Sequence, residues 1–169
     1  MIIVLDTETT GTNPCKNSII QIGAIDFSDP NKKFQITFAP FKGAEITQEA
    51  EQVHKIFKDT FNSLPKFEDG IKEFYEWVTS FKTENTITMA GYNIAFDYWF
   101  LNTSFAKANL TNPFDFHLVD LYSIAFSKKL TSFGLVKICK ELGLETLPAH
   151  DALNDAIMTR NALVKILQI

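Results

Sequence analysis

The chain has 169 residues, of which 46% are hydrophobic and 21% charged, and its formal net charge is -4 at pH 7. This composition is typical of one globular domain and excludes an intrinsically disordered chain. The negative charge argues against a protein that coats nucleic acid with a basic surface, although two bound divalent cations would bring the sum to about zero.

The first part of the chain predicts three antiparallel strands. The apolar run at residues 2–5 predicts a buried strand that ends at two acids, and residues 18–27 and 33–38 predict the next two strands. Short turns between successive strands favour antiparallel pairing. Alternation along the second strand predicts that Ile19 and Ile22 lie on opposite faces of the sheet.

The remainder predicts strands that alternate with helices. Thr47 is the predicted cap of a short helix, and Thr131 or Ser132 is the predicted cap of a later one. The other predicted elements are helices at 67–81, 94–110 and 151–167 and strands at 86–90 and 116–121. This order predicts an α/β fold, in which a mixed sheet of three antiparallel strands followed by two parallel strands carries helices on both faces.

Two carboxylates follow the first strand directly. Asp6 and Glu8 are separated by one residue, so they project from the same face of a strand. Placed together at the end of a buried strand, they repel each other and lose hydration, which is costly unless a positive charge lies between them. A divalent cation with oxygen ligands would supply that charge. The alternative is that both acids are simply solvated at the end of the strand.

Two further acids and a histidine occur in or beside predicted helices. Asp97 and Asp155 have largely apolar neighbours, and His150 precedes the last helix. Asp151 competes with Asp155, but it falls in the first helical turn, where an acid complements the helix dipole without a catalytic role. An exposed position for Asp97 and a surface or capping role for His150 are the alternatives.

Four carboxylates of this kind can hold two divalent cations about 3.5–4 Å apart, which suits phosphodiester hydrolysis. A neighbouring histidine can then act as the general base for the attacking water. The residues that would form this arrangement are Asp6, Glu8, Asp97, Asp155 and His150.

Three motifs occur in order along the chain. They are Asp-Thr-Glu-Thr-Thr-Gly at residues 6–11, Asn-x-x-Phe-Asp at 93–97 and His-Asp-Ala-Leu-Asn-Asp at 150–155. With Val-His-Lys-Ile at 53–56, they resemble the motifs of the DEDDh 3'–5' exonucleases, the superfamily of the bacterial polymerase proofreading subunit. The resemblance spans nearly the whole chain and implies a ribonuclease-H-like fold and a single exonuclease domain at residues 1–169.

The resemblance also implies roles for ten residues. It assigns Asp6, Glu8, Asp97 and Asp155 as ligands of two Mg²⁺ or Mn²⁺ ions, His150 as the general base, and Thr9, Thr10, His54, Asn93 and Phe96 as substrate contacts. His54 would approach the terminal sugar, and Phe96 would pack on a base or sugar. For these two residues a purely structural position in the core or on the surface is the alternative.

The chain departs from the family pattern at two positions. Tyr92 stands where relatives commonly carry histidine, which puts that contact in the cleft in doubt but leaves the metal ligands unaffected. Asn154 stands where many relatives carry an acid. The chain ends at Ile169, soon after the last predicted helix, so we expect no C-terminal segment that docks a DNA polymerase.

These observations predict a 3'–5' exonuclease that releases 5'-mononucleotides from the 3' end of single-stranded or frayed DNA, with DNA favoured over RNA. The alternatives are an exoribonuclease of the same family and a catalytically silent nucleic-acid-binding or polymerase-associated module. A metal-dependent phosphatase is disfavoured, because Glu8 replaces the second aspartate of an Asp-x-Asp-x-Thr pattern.

The sequence also predicts where the protein is found. No apolar run approaches the ~20 residues of a membrane span, and a strand predicted at Ile2 leaves no room for a signal peptide. Cys15 and Cys139 lack the spacing of a metal site and predict reduced thiols. We therefore expect a cytoplasmic protein with no membrane partner.

Overall fold

A computed structural model describes residues 1–81 and 86–168. The strands are β1 (Ile2–Thr9), β2 (Ile19–Asp26), β3 (Lys33–Thr37), β4 (Ile87–Gly91) and β5 (Phe114–Asp120). The helices are α1 (Gln48–His54), α2 (Phe67–Ser80), α3 (Ala95–Lys107), α4 (Leu121–Ser127), α5 (Leu135–Glu141) and α6 (Ala152–Leu167), with a 3₁₀ helix at Lys58–Ser63. No helix in these two described ranges has both the length and the apolar character of a membrane span.

The five strands form one mixed sheet in the order β3-β2-β1-β4-β5. The β1–β2 and β2–β3 pairs are antiparallel, whereas the β1–β4 and β4–β5 pairs are parallel. The predicted sheet of three antiparallel strands followed by two parallel strands is therefore confirmed. The strand that carries the first two acids lies at its centre.

Side chains of β1 alternate between two buried apolar layers. Ile3 and Leu5 belong to a cluster that contains Phe74 of α2 and Phe105 of α3. Val4 belongs to a second cluster, formed with α4, α5 and α6. Helices therefore cover both faces of the sheet, as predicted. The even-numbered positions of β1 face the α6 layer, and the odd-numbered positions face the α3 layer.

A bulge interrupts the pairing of β1 and β2 beside Thr9. The register shifts there and leaves Ile20 as an additional residue in β2. A bulge reverses the alternation of side chains beyond it. Ile19 consequently lies in the same apolar cluster as Ile22, so the prediction that these two residues occupy opposite faces is wrong.

Helix α4 was not predicted, because it begins directly where β5 ends. The Asp120 side chain accepts a hydrogen bond from the Ser123 backbone N–H and caps this helix. The 3₁₀ helix at Lys58–Ser63 was also missed. Its six residues are too few to show a helical repeat of apolar positions.

Helix α5 begins later than predicted. The expected caps, Thr131 and Ser132, instead donate their backbone N–H groups to the carboxylate of Glu141 at 3.0 Å each. These bonds close the loop against the last turn of α5, and the helix starts only at Leu135.

Gly23 allows α6 to pack closely on β2. A Cβ atom at Gly23 would overlap the backbone of Ala152 and Leu153, in the first turn of α6. The Ala152 N–H also donates to Gln21 Oε1 at 2.9 Å, which ties the start of the helix to the same strand. The absence of a side chain at Gly23 therefore determines where the first turn of α6 lies.

We predict that Gly23→Ala lowers the free energy of unfolding by about 3 kcal/mol, because the new methyl group collides with backbone that cannot rotate away. Urea denaturation followed by far-UV circular dichroism measures this loss. Gly43→Ala is the matched control: its added methyl group would meet no atom within 4 Å. Its positive φ of 88° should cost only about 1 kcal/mol. Equal losses in the two variants would contradict the packing argument.

Candidate active site

Four acids converge at the end of β1, the central strand of the sheet. Asp6 and Glu8 lie in the last four residues of β1, and Asp97 and Asp155 lie in the first turns of α3 and α6. All four line one cavity of about 200 Å³, together with Thr7, Tyr92, Asn93, Phe96 and His150. The structure therefore brings the four predicted acids and His150 together.

Asp97 and Asp155 reach the cavity from opposite faces of the sheet. Thr7 Oγ1 donates a hydrogen bond to Asp97 Oδ1 at 2.7 Å, and both residues are buried. Thr7 points to the α3 face because it alternates with Asp6 and Glu8, which point to the α6 face. Sequence reasoning gave Thr7 no role, although it stands between the two acids of the first motif.

Asp120 is a second residue that sequence reasoning missed. Its Oδ1 accepts the Asn93 N–H at 2.7 Å, and its Oδ2 accepts the Ser123 N–H at 3.0 Å. One carboxylate thus connects the turn before α3 with the first turn of α4. Asn93 occupies this turn with a positive φ of 56°, a conformation that asparagine tolerates well. An acid at the end of a strand is common, so its pattern gave no signal.

The carboxylates in the cavity hold protons unusually strongly. Burial, and then the nearby charges of Asp155 and Asp97, raise the pKa of Glu8 to about 8. Burial raises the pKa of Asp97 to about 7, although the Thr7 hydrogen bond opposes this rise. Burial and the surrounding carboxylates also raise the pKa of Asp6 well above its ordinary value. Ionisation of these acids would therefore place negative charge in the cavity that the described residues leave uncompensated.

The donor atoms fit a divalent cation. Ligand atoms of Glu8, His150 and Asp155 lie within 4.8 Å of one another, whereas Asp6 and Asp97 line the same cavity outside this group of three. Asp155 Oδ2 accepts the His150 backbone N–H at 3.2 Å, but its buried Oδ1 has no hydrogen-bond partner among the described residues. A buried carboxylate oxygen without a donor costs free energy that a cation would recover.

His150 is held in an unusual backbone conformation at the start of α6. Its φ is 64°, and its side chain is exposed and lines the cavity. A left-handed conformation costs a residue with a Cβ atom roughly 1–2 kcal/mol. The surrounding contacts therefore maintain a strained turn, which directs the imidazole to the acids.

A second cavity of about 290 Å³ adjoins the first and shares Thr7, Glu8 and Phe96 with it. Thr9 and His54 also line it, so the structure brings three predicted substrate contacts together at one place: Thr9, His54 and Phe96. Asn93 lines the first cavity instead.

Thr10 does not line either cavity. Its side chain is fully buried, where its Oγ1 donates to the Glu45 carbonyl at 2.7 Å and accepts the Ser18 N–H at 2.9 Å. These bonds connect the segment after β1 with the start of β2 and with the loop before α1. The structure therefore gives the Thr10 side chain a place in the framework, whereas its neighbour Thr9 faces the cavity.

The His54 ring lies beside the second cavity, close to the backbone of Thr9, which favours a proton on the ring. Its ring is buried, and Nδ1 accepts the Ile56 N–H at 3.0 Å. Burial lowers the pKa of His54 and favours the neutral ring, in which Nε2 then carries the proton. Nε2 is buried and has no hydrogen-bond partner among the residues described.

Comparisons with known proteins show the family of this chain. Residues 3–163 match the RNase_T family model, described as exonuclease. The chain is 31% identical over 162 residues to the 3'-5' DNA exonuclease Cap18 of Escherichia coli. The alignment covers 91% of this chain and 84% of that protein. It is 28% identical over 170 residues to a PolC-type DNA polymerase III of Thermotoga petrophila, which covers 99% of this chain but only 12% of that protein.

A solved structure shows the same fold. The nuclease domain of 3'hExo, a DEDDh family member bound to rAMP, aligns with a TM-score of 0.76 and 17% identity, over 99% of this chain and 91% of that chain. The chain thus has the fold of that DEDDh nuclease domain, a ribonuclease-H-like sheet. The chain belongs to the exonuclease family and is a 3'–5' exonuclease.

We predict that the metal-free protein loses stability as the pH rises from about 5 to 8. The folded state keeps protons on Glu8 and Asp97 that the unfolded chain has already released, so unfolding releases protons. Each proton released lowers the free energy of unfolding by about 1.4 kcal/mol per pH unit. Urea denaturation in chelator across this range measures the slope.

Glu8→Gln supplies the control for this titration, because the amide cannot ionise, and its slope should be shallower. Added Mg²⁺ should stabilise the original protein most at the alkaline end, where the carboxylates are ionised. A free energy of unfolding that increases with pH in chelator would contradict the prediction.

Proposed function

We propose that this 3'–5' exonuclease releases 5'-mononucleotides from the 3' end of single-stranded or frayed DNA, and that residues 1–169 form a single exonuclease domain. The observation that carries the proposal is the convergence of four carboxylates and His150 on one cavity at the end of β1. Family membership supports the reaction class. The relative from E. coli, named as a DNA exonuclease, supports DNA as the polymer.

Four residues of the cavity would hold two Mg²⁺ or Mn²⁺ ions: Asp6, Glu8, Asp97 and Asp155. Such ions would supply the positive charge that favours ionisation of a water and neutralises the phosphate oxygens during displacement. The unpaired Oδ1 of Asp155 and the raised pKa values of Glu8 and Asp97 support this assignment, because a bound cation would compensate the charge of these buried carboxylates. The Thr7 hydroxyl would hold Asp97 in its orientation.

His150 would act as the general base. Its imidazole lines the cavity from the solvent side, and its backbone N–H is bonded to Asp155, so the ring is held beside the acids and remains open to water. It would accept the proton of the attacking water and release it to solvent. The leaving 3' oxygen of the shortened strand takes up a proton from water.

The terminal nucleoside would occupy the second cavity. The neutral His54 ring offers its Nε2–H to an oxygen of the terminal sugar, Phe96 packs against the sugar or base, and Thr9 forms part of the wall. Asn93 would contact the strand beside the scissile phosphate. Packing around the sugar gives specificity for a free end rather than for base sequence.

An exoribonuclease is the second candidate function. The DEDDh nuclease that shares this fold was solved with rAMP, and recognition of a 2'-hydroxyl depends on the shape of the terminal-nucleoside cavity. A polymerase-associated role is supported by the PolC-type relative, although that relative is about eight times longer than the matched region. A catalytically silent module is disfavoured, because it would not need the costly acidic cluster.

We predict that the protein shortens end-labelled single-stranded DNA from the 3' end in Mg²⁺ or Mn²⁺ and acts at least about tenfold faster on DNA than on matched RNA. Asp6→Asn should reduce kcat by about 10³-fold or more, since it removes a ligand, and His150→Ala by about 10²–10⁴-fold. Denaturing gel electrophoresis of the products measures both rates.

Asp151→Asn is the matched control for these variants. Asp151 caps α6 by accepting the Asn154 N–H, and asparagine caps a helix equally well, so activity should stay within about twofold. Full activity of Asp6→Asn, or in excess chelator, would overturn the two-metal mechanism. Faster cleavage of RNA would favour the exoribonuclease.

We predict that His54→Ala lowers kcat/KM about tenfold on DNA that ends in a 3'-hydroxyl, because the variant cannot donate a hydrogen bond to the terminal sugar. The same substitution should change little on DNA that ends in a 3'-deoxy sugar, which lacks that oxygen. Steady-state values of kcat/KM for both proteins on both substrates form a double-mutant cycle, in which one change removes the His54 side chain and the other removes the 3' oxygen. Equal losses on both would show that His54 acts only through packing.

A further inference from the structure

Four aromatic rings form a continuous row beside the cavity of the four acids and His150, the proposed catalytic cavity. Their centroids are separated by 6.2 Å between Tyr92 and Tyr122, 5.4 Å between Tyr122 and Phe133, and 6.4 Å between Phe133 and Phe126. We call these four residues the aromatic row. It runs from the turn before α3, across α4, to the loop before α5.

The outer rings of the row are too exposed to be explained as core. Tyr122 is 42% exposed, Phe133 is 47% exposed and Phe126 is 66% exposed. Single exposed apolar side chains are common, but contiguous ones mark a surface that binds something. The rings touch one another and leave their outer faces open to solvent.

The aromatic row is continuous with the catalytic cavity. Tyr92 lines that cavity and also a third one of about 370 Å³, which further includes Asp6, Lys137 and His150. The proposed terminal-nucleoside cavity adjoins the acids through Glu8 and Phe96, whereas this third cavity adjoins them through Asp6 and His150. A strand with its end in the former would pass the acids and leave through the latter, towards the row.

Lysines outnumber acids in the segment that carries three rings of the row, which Asp120 and Glu141 flank. Between Asp120 and Glu141 the sequence contains four lysines and no acid, although the whole chain has a net charge of -4. The lysines are Lys128, Lys129, Lys137 and Lys140. Lys137 lines the third cavity, and the other three are exposed. Aromatic rings with interspersed cations are the features that bind single strands without regard to sequence.

We propose that the aromatic row and its lysines bind the upstream part of a single-stranded DNA substrate, whose bases stack on Tyr122, Phe133 and Phe126 while its 3' end lies in the catalytic cavity. The proposal rests on the proposed function. A protein partner could also cover an aromatic patch. The excess of four lysines over the two flanking acids and the direct connection to the acidic cavity favour the substrate strand over such a partner.

The test compares a deoxydinucleotide with a twelve-nucleotide single strand of deoxythymidine. The double variant Phe126→Ala/Phe133→Ala should raise KM for the longer strand about tenfold and leave kcat and the kinetics of the dinucleotide unchanged, because only the longer strand reaches the row. Phe116→Ala is the matched control: Phe116 is 73% exposed and lies in β5, four residues before Asp120. It should affect neither substrate.

Charge supplies an independent measurement in a second variant. Lys128→Gln/Lys129→Gln should lower the slope of log KM against log salt concentration for the longer strand, by about 0.7 for each phosphate that the variant no longer neutralises. This variant retains the aromatic packing, so it tests whether the strand binds beside the row even if the phenylalanine variant fails to fold. Thermal unfolding of every variant verifies folding.

The outcomes separate the two proposals. If the original protein cleaves neither substrate, the proposed function fails, and binding of the fluorescein-labelled longer strand in chelator still tests the row: weaker binding by the variants supports it. If the original protein cleaves both substrates and the variants have the same KM for the longer strand, the row does not bind substrate. That result would favour a protein partner for the row. Equal losses on the dinucleotide and the longer strand would also overturn the proposal.

Discussion

The main constraint on the structure is the confinement of four carboxylates at the end of its central strand, which is energetically unfavourable. Burial and then the nearby charges of Asp155 and Asp97 raise the pKa of Glu8 to about 8, and burial raises the pKa of Asp97 to about 7, so the metal-free fold is destabilised as these groups ionise. A fold that maintains such a cluster must gain stability elsewhere. The two apolar layers on either side of β1 supply it, and they hold the acids in place as they do so.

The framework fixes the acids through contacts that are individually modest. The Thr7 hydroxyl orients Asp97, the carboxylate of Asp120 ties the turn before α3 to α4, and the bare backbone of Gly23 lets the first turn of α6 lie directly on β2. Each contact joins segments far apart in the sequence. The geometry of the site therefore depends on the tertiary fold as a whole and not on any single motif.

Much of the fold and the site could be predicted from local patterns. The apolar run before Asp6 predicted the strand, because alternation is a local property, whereas the four acids were assigned through the resemblance of their motifs to a known family. The bulge at Ile20, the bond between Asp120 and the Asn93 N–H, and the buried bonds of Thr10 could not be predicted, because each depends on a partner in another segment of the chain. The aromatic row has the same origin: folding brings Tyr92 beside a segment that begins thirty residues later.

The distribution of charge explains how an acidic protein can act on a polyanion. Its net charge of -4 would repel phosphate at long range, but the acids that would meet the scissile phosphate are the ones that would hold cations. Beyond them, the segment between Asp120 and Glu141 carries only positive charge. On the proposed path, attraction would act along the strand beside the cavity, so binding would favour a single strand that reaches the cavity. A uniformly basic surface would instead attract duplex DNA at long range, wherever its 3' end lay.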